Sequence, residues 1–551
     1  MRLVATARIY IARRVSVPAA QSRDSDHGDA MLLRGGSGDP PRTVSEARRL
    51  RCASFALLVL ALATAAQAAD QPQWGEQNTR NMVSDEKNLP DTFDPATGKN
   101  IKWVADIGTE THDTPVVAGG KVLIGTNNYR PRDPRHDGDR GILMCFNEKD
   151  GQFCWQLVAP KLTYDIYWDW AGCGICSPPT VEGDRIYIVT NRGEVVCLDL
   201  NGQANGNQGP YMDEGKHMAP PGRPPMEVTK IDADILWLYD MVGDLGIRQH
   251  DAACGSVLID GPFLYVNTSN GLDKTHRKIL SPDAPSLVVI EKATGRLVGK
   301  DDLKLGDRIV HCTWSSPAMA EVGGKKLIFF GGGDGNVYAF EALAAVPPAG
   351  KVETLKKAWW FDCDPTAPKE NTHQYMGNRK ESPSNIKGTP VFYKNRVYVT
   401  VGGDIWWGKN ECWLKCIDAT KTGDVTKTAE IWSAPLNRHA CSTPSIAGGL
   451  VFVTDLGKTI HCIDAETGQT YWTHEAKGEF WASTLVADGK VYAGSRRGDF
   501  IILAAEKEKK VLCTVQMDSA ISATPVAANG VLYITTQNKL YAVQKQAEGV
   551  K

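Results

Sequence analysis

The chain has 551 residues, 62 Lys and Arg against 64 Asp and Glu, and a formal net charge of -2. A balance so close to neutral offers no general attraction to nucleic acid or acidic membranes, and that class of partner is disfavoured. Its 53 Gly and 30 Pro fit a turn-rich all-β protein, although length alone suggests three or four domains.

Taken in order, the first feature is a basic flank, Arg48, Arg49 and Arg51, followed by an apolar run over residues 53–63 and by Ala66-Gln67-Ala68. Basic flank, short apolar core and small-x-small site are the order of a secretory signal, and the run is too short to span a bilayer. Residues 1–68 therefore read as an N-terminal extension plus signal peptide cleaved after Ala68. The product is expected in the periplasm or outside the cell, with no transmembrane segment after cleavage. No Cys stands at the cleavage site, which argues against a lipoprotein. The polar stretch over residues 1–47 is long for a signal, and Met31 is an alternative start.

Residues 69–100 read as a linker. Next, Lys102-Trp103-Val104-Ala105-Asp106 has the pattern of a closing strand with no strands before it. The pattern is clearest at 442–478, where four short apolar runs are separated by glycine or charged turns. Its opening recurs eight times, at Thr114-Pro115, Ser177-Pro178, Gly255-Ser256, Ser316-Pro317, Thr389-Pro390, Thr443-Pro444, Ser483-Thr484 and Thr524-Pro525. Its closing strand also recurs eight times, around Trp103, Trp155, Trp237, Leu297, Trp359, Trp432, Trp472 and Leu512. Eight such sheets that cannot fold apart make one repeat domain over residues 101–545. The expected fold is all-β, a single closed eight-bladed β-propeller of four-stranded antiparallel blades whose last blade is completed by the N-terminal strand.

Many long connections, at 127–141, 161–176, 242–254, 270–285, 362–387 and 402–412, fall into the two loop classes that emerge on one face, where function is expected to gather. Two others, at 201–230 and 341–355, open on the opposite face. His112, His250, His311 and His439 stand on loops just before blade openings, as do Trp314 and Trp481, and only 11 His occur in the whole chain. Cys176, Cys254, Cys312 and Cys441 lie within five residues upstream of openings. Imidazole with thiolate suits copper, zinc or iron, so a redox or metal centre at the central mouth is one reading. The other is a tunnel plugged by hydrogen-bonded side chains, since none of these pairs has a recognised metal spacing. Asp404 and Trp406 in the run 404–407, and the acidic-aromatic run 164–170, could stack a planar quinone or a sugar, form a partner surface, or simply anchor long loops. Asp133, Asp137 and Asp139 lack the spacing of a calcium loop. Cys145, Cys197, Cys416 and Cys462 recur at one place in third strands and read as small core residues. Thirteen cysteines follow the predicted cleavage site, an odd number, so at least one is expected to be free or paired between chains.

The unit CIDAETGQTYWTHEAKG, with its echoes MCFNEKDGQFCWQLVAP and LVVIEKATGRLVG, resembles the repeat of pyrroloquinoline quinone (PQQ) dehydrogenases and of their non-enzymatic relatives, including the outer-membrane assembly propeller. The resemblance covers the chain from about Trp103 to Val543. It implies the propeller fold and, in the enzymes, a quinone near the axis, a calcium ion held by carboxylate and amide oxygens, a catalytic aspartate and often a disulfide between neighbouring cysteines. No Cys-Cys pair occurs here; the nearest approach is Cys173-x-x-Cys176. One fold hosts both activities. The expected function is an exported binding or assembly scaffold that takes a protein or small-molecule ligand on the loop-rich face. The alternative is a quinoprotein-like oxidoreductase with PQQ or a transition metal at the mouth.

Sequencing the N-terminus of the secreted product is expected to give Ala69 as the first residue. A full-length chain retained in the cytosol overturns that reading.

Overall fold

The structure, a computed structural model, describes residues 69–546 apart from Tyr164; the predicted signal and its cleavage site lie outside the described residues. In the unit where the repeat is clearest, strands Ser445–Ala447, Leu450–Thr454, Thr459–Asp464 and Thr470–Glu475 pair antiparallel in sequence order. The same sheet is built at 116–160 (blade 1), 180–240 (blade 2), 258–300 (blade 3), 318–362 (blade 4) and 391–435 (blade 5); the unit at 445–475 is blade 6, and 485–516 is blade 7. Blade 8 takes three strands from 526–543 and its fourth, Ile101–Asp106, from the other end of the described chain. That strand runs antiparallel to Lys539–Val543 with Trp103 opposite Ala542.

Each sheet has two apolar faces, and each face is buried against the next sheet. The core accordingly falls into eight clusters, one for every neighbouring pair of blades. The cluster joining blade 8 to blade 1 sets Trp103, Tyr533 and Leu540 against Val117, Val122 and Ile142. A sheet stack whose last member packs on its first is a closed ring, an eight-bladed β-propeller.

Three residues of the repeat recur at most of the joints. The indole N–H of Trp103, Trp155, Trp237, Trp432 and Trp472 donates to a carbonyl of the following blade, that of Glu148, Leu200, Lys292, Ala465 and Glu506 respectively, at 2.9–3.1 Å. At four of these joints a glycine lies under the indole: a Cβ on Gly151, Gly202, Gly295 or Gly468 would stand 2.5–2.7 Å from the ring. On the indole's own sheet its cross-strand partner is small, namely Cys145, Cys197, Cys416, Cys462 or Ala542. The four recurring cysteines are thus buried core residues that leave room for a tryptophan.

Residues 69–86, expected as part of a linker, are laid against the inner strands of the ring. Backbone carbonyls of Ala69, Gln71, Pro72, Asn78, Thr79 and Met82 accept from Asn529 (blade 8), Val117 (blade 1), Val181 (blade 2), Met319 (blade 4), Phe392 (blade 5) and Val486 (blade 7). Arg80 serves blades 3 and 4, donating to the carbonyls of Ser256, Val257 and Pro317, and the Asn81 amide pairs with Ile446 of blade 6. The segment makes one circuit of the axis, and it satisfies inner-edge groups that face no other strand. Arg80 is fully buried; desolvation pulls its guanidinium down to about 9, and it donates also to Trp74 O and Ser256 Oγ.

Gly468 tests the joint, because it adopts φ +75° and also lies under Trp432, whereas Gly449 adopts φ +80° with open space around it. Gly449→Ala isolates the backbone strain. Gly468→Ala is expected to lower stability by about 1–3 kcal/mol more than Gly449→Ala, the cost of overpacking, when the two are compared by denaturant or thermal unfolding.

Candidate functional site

The loops that enter the blades converge on a central cavity of about 500 Å³. Trp74, carried by the 69–86 circuit, lies in its lining, and its Nε1 donates to Thr524 Oγ1 at 3.3 Å. Above it the wall is aromatic: Trp170, Trp314, Trp406, Trp407, Trp481 and Tyr167. The rings brace one another edge to face, with Trp406 5.9 Å from both Trp314 and Trp481, and 4.8 Å from His311.

Most of the residues singled out from the sequence meet here. His112, His311, Trp314, Trp406, Trp481, Cys176, Cys254 and Cys441 line the cavity. His250 stands against them, buried, with its ring stacked on Tyr167 at 5.6 Å. His112 is half-buried and bonds Glu110 at 3.0 Å, beside Trp481. The described cysteines are all free thiols. Cys176 neighbours both Cys173 and Cys254; the Cys173 contact pulls its thiol down, but the Cys254 contact and burial together outweigh it and push the thiol up. Asp404 and Cys312 lie behind the wall, and His439 is turned away, bonded to the carbonyl of Lys409 at 2.7 Å.

Asp404 organises one side of the mouth. Its Oδ1 accepts from the backbone N–H groups of Trp406 and Trp407 at 3.0 and 2.9 Å, which fixes both indoles. Its Oδ2 is 3.2 Å from Lys387 Nζ. Burial opposes the charge on Asp404, but Lys387, His311 and the Trp407 N–H outweigh it and hold the carboxyl well below the usual range. Lys387 is likewise fully buried; burial works against its charge, and Cys312 and Asp404 override that and raise it. Its ammonium lies 4.5 Å from the Trp314 ring centre.

The sequence did not single out Trp74, Asp251, His276 or Lys387. The signals were Asp251 directly after His250, Lys387 just ahead of an opening, and a histidine inside the long loop 270–285. That loop brings His276 Nε2 to 3.2 Å from His250 Nε2.

A family model described as outer membrane protein assembly factor BamB matches residues 91–344 and 414–547. Lys387, Asp404, Trp406 and Trp407 fall in the stretch between. No curated protein matches the chain by sequence. Among solved structures, a europium-containing methanol dehydrogenase is 12% identical over 84% of this chain and 89% of its own, with a TM-score of 0.54. Quinohemoprotein alcohol dehydrogenase from Comamonas testosteroni is 11% identical over 89% and 82%, with a TM-score of 0.52. BamB from Moraxella catarrhalis is 12% identical over 81% and 98%, with a TM-score of 0.46. At such identities the likeness is one of fold alone.

The mouth has a pH signature. Desolvation lowers His250 from its ordinary 6.5 to about 4, and holds His311 well below 6.5 too. Between those values the unfolded chain binds protons that the folded chain does not, so this stability is present above pH 6.5 and lost as pH falls toward 4. Burial raises Asp251 from 3.8 to about 6, which acts in the opposite sense, favouring the fold below pH 3.8 and losing that advantage as pH rises to 6. Two imidazoles outweigh one carboxyl. The melting temperature of chelator-treated protein is therefore expected to fall between pH 6.5 and 4, and His250→Asn to flatten the fall.

Proposed function

The chain belongs to the BamB-like propeller family, and from that premise we propose that it is an exported binding scaffold whose working surface is the central mouth, where it captures a small planar ligand. Export is supported by the order of basic flank, apolar core and cleavage pattern at residues 48–68. Among the described residues no helix is long and apolar enough to cross a membrane. The observation that carries the binding reading is the lining: six of the chain's 15 tryptophans border one cavity, floored by Trp74. Flat rings stack on indoles, and a concave aromatic wall with a few polar groups is the ordinary form of a small-molecule site. Trp314 Nε1 is buried there with no hydrogen-bond partner, a donor held for a polar group on the ligand.

The calcium-quinone arrangement implied by the resemblance does not fit this wall. Calcium takes about six to eight oxygen ligands, whereas the carboxylates on the lining are Glu110 and Asp251 and no Asn or Gln borders the cavity. Imidazoles and thiols stand where hard oxygen donors are needed.

Titration with 1,4-naphthoquinone, followed by tryptophan fluorescence, tests the reading. Saturable quenching is expected in the wild type, with affinity at least about tenfold weaker in Trp406→Ala at an unchanged melting temperature. Absence of quenching by this probe and by PQQ overturns it. PQQ binding that depends on calcium and reduces an acceptor dye replaces it with the oxidoreductase reading.

A further inference from the structure

We propose that His250, His276 and His311 bind one divalent first-row transition ion, zinc foremost, on the wall of the central mouth, with the Asp251 carboxylate beside two of them. The proposal extends the reading of the mouth as a ligand pocket and rests on that reading only for the use of the ion's open position; the donors themselves are separate atoms.

Three loops deliver them. His250 and Asp251 lie on the loop entering blade 3, His276 on the loop between that blade's second and third strands, and His311 on the loop entering blade 4. The loops are tied together: Gly271 N donates to Arg248 O at 2.9 Å and Leu272 N to His311 O at 3.0 Å. Only glycine fits at 271, where a Cβ would stand 2.7 Å from both His250 Cβ and His311 O.

The rings are turned so that their Nε2 atoms meet. His250 Nδ1 lies 2.7 Å from Leu272 O, so that nitrogen carries the proton of the neutral ring and Nε2 is left as a bare electron pair. It faces His276 Nε2 at 3.2 Å, and His276 is itself hydrogen bonded to the backbone of Lys274. His311 directs Nδ1 toward Cys312 Sγ at 3.1 Å, which sends its Nε2 toward Asp251. The Asp251 carboxylate lies 3.6 Å from His250 Nε2 through one oxygen and 3.6 Å from His311 Nε2 through the other. One nitrogen from each of the three histidines lies within 4.8 Å of the others.

Hydrogen bonding does not account for this convergence. A single proton can link His250 to His276, but 3.6 Å is too long for a bond from either imidazole to Asp251. A metal does account for it: zinc–nitrogen bonds of about 2.0–2.1 Å in a tetrahedron place two ligand atoms about 3.3–3.4 Å apart, close to the 3.2 Å between His250 and His276, and the His311 nitrogen lies within 4.8 Å of both. Each imidazole's remaining nitrogen, or its ring, is held by the protein, as metal-ligating histidines are. Three imidazole nitrogens suit zinc, iron or copper and leave a position open, whereas ions that prefer thiolate would be drawn to Cys173, Cys176 and Cys254 instead.

The test uses the full chain, stripped with EDTA and titrated with Zn²⁺ and with Co²⁺, reading metal content after gel filtration and the visible absorption of cobalt. One equivalent retained per chain is expected, with Zn²⁺ raising the melting temperature. His276 is only partly buried, so His276→Ala keeps the fold; it and Asp251→Asn are expected to weaken Zn²⁺ binding at least about 100-fold and about tenfold respectively, without lowering the metal-free melting temperature. Wild-type protein that retains neither ion overturns the proposal and leaves a proton-sharing imidazole pair. Binding that survives in His276→Ala and disappears in Cys176→Ser overturns it too, moving the ion to the thiols. Naphthoquinone quenching read on the same metal-free samples separates the two readings: quenching without any metal binding removes the metal site and keeps the pocket, and metal binding without quenching does the reverse.

Discussion

The fold depends on how one sheet meets the next. Nothing covalent joins neighbouring blades except the chain itself, and five of the eight interfaces are fixed by an indole of one blade donating to a carbonyl of the following blade, four of them with a glycine turn under the ring. The lock sets the spacing and tilt that a ring of eight must repeat without accumulated error. Where the indole is missing, other parts of the chain fill the joint. Blade 3 closes with Leu297, and its outer strand is extended by the parallel strand Glu353–Thr354 while Leu355 enters the interface with blade 4. Blade 7 closes around Leu512, and Leu89 and Phe93 from the N-terminal segment pack into its interface with blade 8.

That regularity is why the fold could be read from the sequence. The tryptophan, the glycine and the small residue opposite the indole recur at fixed places, and Trp103 in a strand with no predecessors pointed to ring closure. The circuit of residues 69–86 has no such period. Its contacts are backbone carbonyls and two polar side chains meeting the inner edges of eight different blades, so its neighbours are set by a ring that its own residues do not encode. A Gly- and Pro-containing polar stretch therefore looked like a linker.

The site was legible in location more than in direction. Residue types enriched on the entry loops identified the mouth, because any side chain there lies near the axis. Composition does not say which way a ring turns. His311 and His439 occupy the same class of loop, yet one faces Asp251 and the other is held by the Lys409 carbonyl. His276 was missed because its loop belongs to another class and reaches the cluster only through the tie at Gly271. Asp404 lies beneath the mouth wall and shapes the cavity through the backbone of Trp406 and Trp407, a role that residue type alone cannot announce.

The circuit also fixes when the cavity comes into being. Trp74 belongs to the first part of the described chain to be synthesised, but the strands it rests among are complete only when the last blade has formed. Before then the ring is open on one side and the Trp74 indole lacks the Thr524 hydroxyl to which it donates; afterwards the cavity has its full lining. The cavity is thus a property of the finished molecule alone, and a half-assembled chain, however much of its sheet structure has formed, lacks it.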